Sequence, residues 1–392
     1  MTEPGSPLPR TLAFSTAEYR RRSDDAQAAV ASQALDALLS TTLGNICYLT
    51  GFQTIGSYGF ALYATLVQPG RELALVSSDF EGHNALIDSW LDEVITYLVM
   101  ADPVEALVDL LRARGLAGGR VGIETGYGAL TVAQADRLRQ QLPRVHWVDA
   151  SGTIEAIRAV KSEEELQAMR QAARISSAGM RAAIAAVSVG ATDNDVAAAA
   201  AAAVLHQGGE HFSIVPIVTS GRRSGIPHTS FRRVRLAPGD PVFIEVCASY
   251  QRYAAPLLRT VSVGEPSAPV RRAFDACLAS VETLLREVRA GVPAREVAAR
   301  AGAAMRTIEP DLIWHGYFGG STGLSFAPSY SDGGAAEISD RSATVLAAGM
   351  TFHASTSLRR LGEFGVTVSE TIAVTETGCE VLTQVPRQLV VV

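Results

Sequence analysis

Cysteine is scarce in this chain. Cys47, Cys247, Cys277 and Cys379 are spread over 392 residues and form no Cys-x-x-Cys pair, which excludes a disulfide scaffold, a zinc knuckle and a thioredoxin motif. Charge is also sparse, at 19% of residues against 47% apolar, so disorder is excluded as the overall state. The net charge of −6 argues against a protein that coats nucleic acid. Long apolar runs are missing: the alanine-rich stretch from Val196 to Leu205 is the longest of its kind and falls well short of the roughly 18 residues a membrane helix needs. The first residues lack the basic and apolar regions of a secretory leader. A soluble, cytoplasmic protein with no membrane or nucleic-acid partner is expected. Gly-x-Ser-x-Gly, a Walker loop, His-Glu-x-x-His and the dinucleotide-binding glycine fingerprint are absent as well.

What is present is enough chain for a real core and for two domains. Residues 1–10 form a Pro/Gly-rich tail expected to be mobile. Residues 16–34 read as a helix, with Ser15-Thr16 able to cap it. Short apolar runs with strand character follow at Ala37–Leu39, Ile46–Leu49, Ala61–Val67 and Glu72–Val76, with a turn at Gly70-Arg71. Pro103–Arg114 reads as a helix and Val121–Glu124 as a buried strand. This alternation predicts a small α/β domain over residues 1–153. Ser162-Glu163-Glu164-Glu165 is a capping box that opens a long helix, and the second domain is placed at 154–392.

The second half carries a weak internal repeat. One offset separates Gly190 from Gly291 and Val196 from Val297, each pair leading into a helix. Gly239-Asp-Pro-Val-Phe-Ile-Glu245 and Gly349-Met-Thr-Phe-His-Ala-Ser355 echo each other as strands. Two related αβ halves, with a site where they meet, are expected.

Four segments set polar groups in apolar surroundings: Ile226–Ser230 with His228; Phe243–Thr260 with Glu245, Tyr253, Pro256 and Arg259; His315–Leu324; and Val366–Thr371 with Glu370. A carboxylate inside a strand-like run, as at Glu245 and Glu370, is costly to bury unless it is paired, bound to a metal or protonated. If it is not buried, it is an ordinary solvent-facing strand residue. Histidine is the natural proton carrier near neutral pH, although a lone histidine such as His228 is more often structural.

Read in order, these segments resemble the creatinase, prolidase and methionine aminopeptidase superfamily, the pita-bread enzymes. The stretches Asn45-Ile-Cys-Tyr-Leu-Thr-Gly-Phe52 and Ile157-Arg-Ala-Val-Lys-Ser-Glu-Glu-Glu165 are similar to the family's N-terminal domain and its join. The resemblance implies an α+β fold: a creatinase-type α/β N-terminal domain followed by a pita-bread domain of two pseudo-symmetric αβ halves. Peptidases of the family hold two metal ions with Asp, Asp, His, Glu and Glu. Carried over by motif, these positions fall on Glu245, Pro256, Gly320, Ser355 and Glu370. Two of the five remain carboxylates, too few for hard divalent ions, so no metal and no other cofactor is expected.

His228, 17 residues before Glu245, stands where the resemblance places the family's active-site histidine. The two carboxylates with which creatinase holds its guanidinium substrate fall on Leu258 and Ser355, which makes creatine a poor fit. Phe243-Ile-Glu-Val, Arg252-Tyr-x-x-Pro-Leu-x-Arg-Thr260 and Gly365-Val-Thr-Val-Ser-Glu370 resemble ectoine hydrolase more closely.

The expectation is a metal-independent hydrolase that cleaves a C–N bond in a small amidine, cyclic amidine, guanidine or amide. His228, Glu245 and Glu370 are the candidate catalytic residues. Tyr253, Arg259, His315, His353 and Ser355 are the candidate substrate-binding residues. If Glu245 and Glu370 were close, each would raise the other's pKa. Three alternatives stand beside this one: an Xaa-Pro peptidase with one residual metal, a pita-bread enzyme recruited to another bond cleavage, and a non-catalytic binding homologue. The resemblance also implies a homodimer in which one subunit's N-terminal domain closes the other's site.

Overall fold

The computed structural model describes residues 9–56, 61–126, 130–307, 311–334 and 336–392; most of the N-terminal tail lies outside them. The chain divides into two compact units after Arg158.

In the first unit the elements run α1 (Thr16–Ser32), β1 (Ala37–Ser40), α2 (Leu43–Thr50), β2 (Ala64–Val67), β3 (Ala74–Ser78), α3 (Asp79–Asp88), β4 (Val94–Tyr97), α4 (Pro103–Ala113), β5 (Arg120–Ile123), α5 (Val132–Gln141), β6 (His146–Asp149) and α6 (Thr153–Arg158). The strands form one six-stranded mixed sheet in the order β4-β3-β2-β1-β5-β6. Helix α4 shows why local sequence suffices in places. Asp102 accepts from the Val104 N–H, Pro103 occupies the first turn, and Val104, Leu107, Val108 and Leu111 form one buried stripe against the sheet.

The run Ile46–Leu49, expected as a strand, is instead the body of helix α2. A short, wholly buried apolar run carries no periodicity to separate the two states. The decisive signal is Gly51, whose positive φ of 85° closes the helix with its N–H on the Cys47 carbonyl.

The second unit consists of two halves of matching order. The first half is α7 (Glu163–Ala186), α8 (Asp193–His206), β7 (Phe212–Ser220), β8 (Pro241–Tyr250) and β9 (Tyr253–Ser262). The second is α9 (Ala268–Glu287), α10 (Ala294–Ala301), β10 (Tyr317–Ser321), β11 (Glu337–Ser339), β12 (Thr351–Arg360) and β13 (Phe364–Val374), followed by β14 (Cys379–Val381) and β15 (Val390–Val391). The sheets are β15-β9-β8-β7 and β11-β10-β12-β13-β14.

The repeat read from the sequence is physical. The Gly190 N–H donates to the Leu236 carbonyl at 3.0 Å, and the Gly291 N–H donates to the Leu346 carbonyl at 2.8 Å. The offset from Leu236 to Leu346 is the one that also relates Glu245 to Ser355. This is the pita-bread architecture the resemblance implied.

Strands β9 and β13 are stitched together by hydroxyls. The Leu258 N–H donates to Ser369 Oγ at 2.8 Å, Thr260 Oγ1 donates to the Thr367 carbonyl at 3.0 Å, and Thr371 Oγ1 donates to the Pro256 carbonyl at 2.7 Å. Buried Ser and Thr in these strands thus satisfy backbone groups where the two sheets meet.

Candidate active site

Between the two hairpins of the second unit lies a cavity of about 280 Å³, the size of a small-molecule site. Strand alternation decides what faces it. On β8, Phe243 and Glu245 line it; on β12, His353, Ser355, Ser357 and Arg359 do so at alternate positions, joined by Thr356. The segment before β8 contributes Ile226 to Thr229, the approach to β10 contributes Trp314 and His315, and β10 itself contributes Tyr317.

Glu245 is 7% exposed and makes no hydrogen bond or ion pair among the described residues. Burial, opposed in part by the Arg359 guanidinium, pushes its pKa up to about 7. A carboxyl group in this state can hold or release a proton near neutrality.

Arg359 lies with its guanidinium 4.6 Å from the centre of the Phe243 ring and donates from Nη1 to the Ser224 carbonyl at 2.7 Å. Sequence reading missed it. Polar residues recur at His353, Ser355, Ser357 and Arg359, but Thr356 interrupts the alternation, and the pattern does not say which face meets a cavity.

His228 is exposed, lines the cavity and sits at a positive φ of 54°. That backbone region is uncommon for histidine and is consistent with a loop shaped to present the ring. His315 also lines the cavity and is exposed. His353 is buried, with Nε2 2.8 Å from Ser369 Oγ and its ring edge-on to Tyr330. Burial lowers its pKa to about 3, so it stays neutral and suits positioning rather than proton carriage.

The structure therefore brings His228, Glu245, His315, His353 and Ser355 to one cavity. It does not bring Glu370, Arg259 or Tyr253 there. Glu370 is 1% exposed and accepts from Arg259 Nη2 at 2.6 Å and from Thr383 Oγ1. Glu245 is perturbed by burial and by Arg359, not by Glu370, and Glu370 is ion-paired with Arg259. Tyr253, fully buried, donates its hydroxyl to Glu165 at 2.7 Å, while the other carboxylate oxygen of Glu165 accepts from the Ser162 N–H in the α7 capping box. Tyr253 thus anchors a helix start.

Comparison with known proteins now places the chain. Residues 167–376 match the model of metallopeptidase family M24, and residues 22–160 match the creatinase/prolidase N-terminal domain. The chain belongs to metallopeptidase family M24. It is 31% identical to an uncharacterized hydrolase/peptidase, y4tL, of Sinorhizobium fredii, over 97% of this chain and 98% of that protein. It is 28% identical to the ectoine hydrolase of Halomonas elongata, over 97% and 99%. A recombinant prolidase from Thermococcus sibiricus superposes with a TM-score of 0.85 at 22% identity, covering 97% of this chain and all of that one. The chain is thus an M24 hydrolase homologue, and no helix among the described residues is long and apolar enough to cross a membrane.

The metal pair that the M24 fold implies does not fit the residues present. Gly320 supplies no side chain, and the Tyr317 hydroxyl occupies the space where one would begin. Pro256 offers only its carbonyl, which already accepts from Thr371. Glu370 is held by Arg259. Glu245 and Ser355 remain, and one carboxylate with one neutral hydroxyl is a poor set for divalent ions.

Proposed function

We propose that this M24 chain hydrolyses a C–N bond in a small amidine, cyclic amidine, guanidine or amide, without a metal ion. The observation that carries this reading is Glu245: a buried carboxyl group with no partner among the described residues, in a cavity that His228 also lines and where the other four ligand positions are lost or engaged elsewhere.

In the proposed reaction, ionised Glu245 takes a proton from a water molecule while the water oxygen bonds to the amidine or acyl carbon. The C–N bond then breaks as the leaving nitrogen takes a proton from His228. The exposed imidazole is reprotonated from solvent, and Glu245 returns its proton the same way. A base with a pKa near the working pH combines availability with driving force. Ser355 and His315 are placed to contact substrate, and His353 holds Ser369. The reading takes the protein as a cytoplasmic homodimer.

The test is metal analysis of protein expressed with manganese, cobalt and zinc supplied, together with a screen of cyclic amidines, guanidines and small amides. Less than about a tenth of an ion per chain and turnover unchanged by chelator are expected. One or two tightly held ions, with hydrolysis of Xaa-Pro peptides, would establish the peptidase reading that the fold and family also support.

His228 gives a second test. Asparagine tolerates the positive φ at this position, so His228→Asn is expected to keep the melting temperature while lowering kcat by about 10²-fold or more. Full activity in this variant on the true substrate would remove His228 from the reaction.

A further inference from the structure

We propose that Tyr317 and Tyr330 form a neutral oxyanion site: their hydroxyls donate hydrogen bonds to an oxygen on the attacked carbon as that oxygen takes up negative charge. The inference rests on the C–N hydrolase reading and applies to substrates whose attacked carbon carries an oxygen, an amide or a urea.

Three observations carry it. The first is the donors themselves. Both tyrosines line the cavity that Glu245 also lines. Neither hydroxyl has a hydrogen-bond partner among the described residues, and neither belongs to the buried polar atoms sealed from water. A phenol on a cavity wall with its O–H unspent is a donor for a ligand.

The second is position. The Tyr317 hydroxyl occupies the space where a side chain at Gly320 would begin, and Gly320 is the position at which the resemblance places a metal-binding histidine. Tyr330 lies close enough to Glu245 and Tyr317 for both to act on it through space. Hydrogen-bond donors thus stand where a peptidase of the family has a metal ligand.

The third is rigidity. The Tyr330 ring meets the His353 ring edge-on with centroids 5.3 Å apart, and His353 is itself bonded to Ser369. The Tyr330 carbonyl accepts from Thr322 Oγ1 at 3.0 Å. Two residues on, buried Asp332 is ion-paired with Lys161 and accepts from Ser321 Oγ. Donors fixed before a charge develops need no reorganisation when it does. Burial, reinforced by nearby Glu245, holds the Tyr330 phenol well above its ordinary value, and burial with Glu337 pushes Tyr317 up to about 12. Both therefore keep their protons near neutral pH.

In the step itself, the water oxygen bonds to the acyl carbon as Glu245 takes its proton, and the C=O electron pair moves onto the oxygen that the two hydroxyls hold. The pair returns as the C–N bond breaks and His228 protonates the leaving nitrogen. The tyrosine protons are not transferred.

The experiment is binding of 4-nitrophenol to the full chain at mildly acidic pH, where Glu245 keeps its proton, read by the visible absorbance of the phenolate. The probe carries an oxyanion on a small body and is bound without turnover. Wild-type protein is expected to bind the phenolate about tenfold or more tightly than the phenol, so that bound probe ionises. Tyr317→Phe and Tyr330→Phe each delete one oxygen that has no protein partner, so the melting temperature should hold while the preference falls by about tenfold in each. On a turned-over amide, each should lower kcat by about 10²- to 10³-fold, with KM within a few-fold and the pH profile unshifted. No phenolate preference in the wild type, or a preference that survives in both variants, overturns the proposal. The wild-type measurement needs no variant to fold. An oxyanion preference with no hydrolysis would sink the hydrolase reading and leave this one standing; hydrolysis without that preference would do the reverse.

Discussion

Glu370→Ala is expected to destabilise the second unit by about 3–5 kcal/mol, the usual cost of stripping one partner from a buried ion pair. The magnitude follows from what Arg259 would be left with. Its side chain is 1% exposed and all five donors are engaged. Nε donates to the Pro386 carbonyl, Nη1 to the carbonyls of Leu258 and Ser369, and Nη2 to Glu370 Oε1 and the Val385 carbonyl. Four of these bonds are to dipoles, and one is to the charge that neutralises it. Without Glu370 the guanidinium stays buried, and Arg387, 3.4 Å from the same carboxylate, becomes a like charge with nothing between. Glu370→Gln should cost less, since it keeps an acceptor. Replacing both Arg259 and Glu370 by methionine should recover much of the loss, because no charge is then stranded. Urea denaturation of the four proteins measures this. The same set assigns the residue's role: a folded Glu370→Gln protein is expected to turn over within a few-fold of wild type. A loss of about 10²-fold or more, the scale of a general acid or base, would return Glu370 to the reaction.

Glu245 and Glu370 show how far sequence reaches. Both stand alone in apolar, strand-like runs, and both runs are strands. Alternation separates the two faces of a strand but does not say which face meets a cavity. On β13 every residue from Phe364 to Val374 is buried, so neither face declares itself by polarity. The partner that claims Glu370 lies 111 positions away on β9, a separation no local pattern encodes. Glu245 differs in having no such partner among the described residues. The helix starts were legible because they are local: Ser15 caps α1 through the Glu18 N–H, and Ser162 with Glu165 closes the capping box of α7. The duplicated halves were legible because one offset recurs. Tyr317 filling the place of a side chain at Gly320 was not legible, since it depends on the irregular start of β10, where the register shifts between Tyr317 and Gly319.

Glu245→Gln should make the protein more stable near neutral pH and nearly inactive. The sign follows from the two states of the carboxyl group. Its pKa is about 7 in the folded chain against an ordinary 4.5, so between these values the folded state keeps a proton that the unfolded state has released. The resulting stabilisation is full below pH 4.5 and is lost as pH rises through about 7, a change on the order of 3 kcal/mol. Glutamine mimics the protonated form at every pH. Wild type and variant should therefore match below pH 4.5 and diverge above it, with the variant ahead beyond pH 7. His353 works in the opposite sense. Its pKa is held at about 3 against 6.5, so its contribution is present above pH 6.5 and fades as pH falls through about 3. That trend is common to both proteins and cancels in their difference. Urea midpoints at a series of pH values isolate the Glu245 part, and a difference that does not change with pH would show that this group is not held protonated by burial. Turnover should meanwhile fall by about 10²- to 10⁴-fold, the range for loss of a general base. A side chain whose ionised form opposes folding, with no partner among the described residues, is not explained by stability; the proposed proton transfer to and from a substrate would account for it.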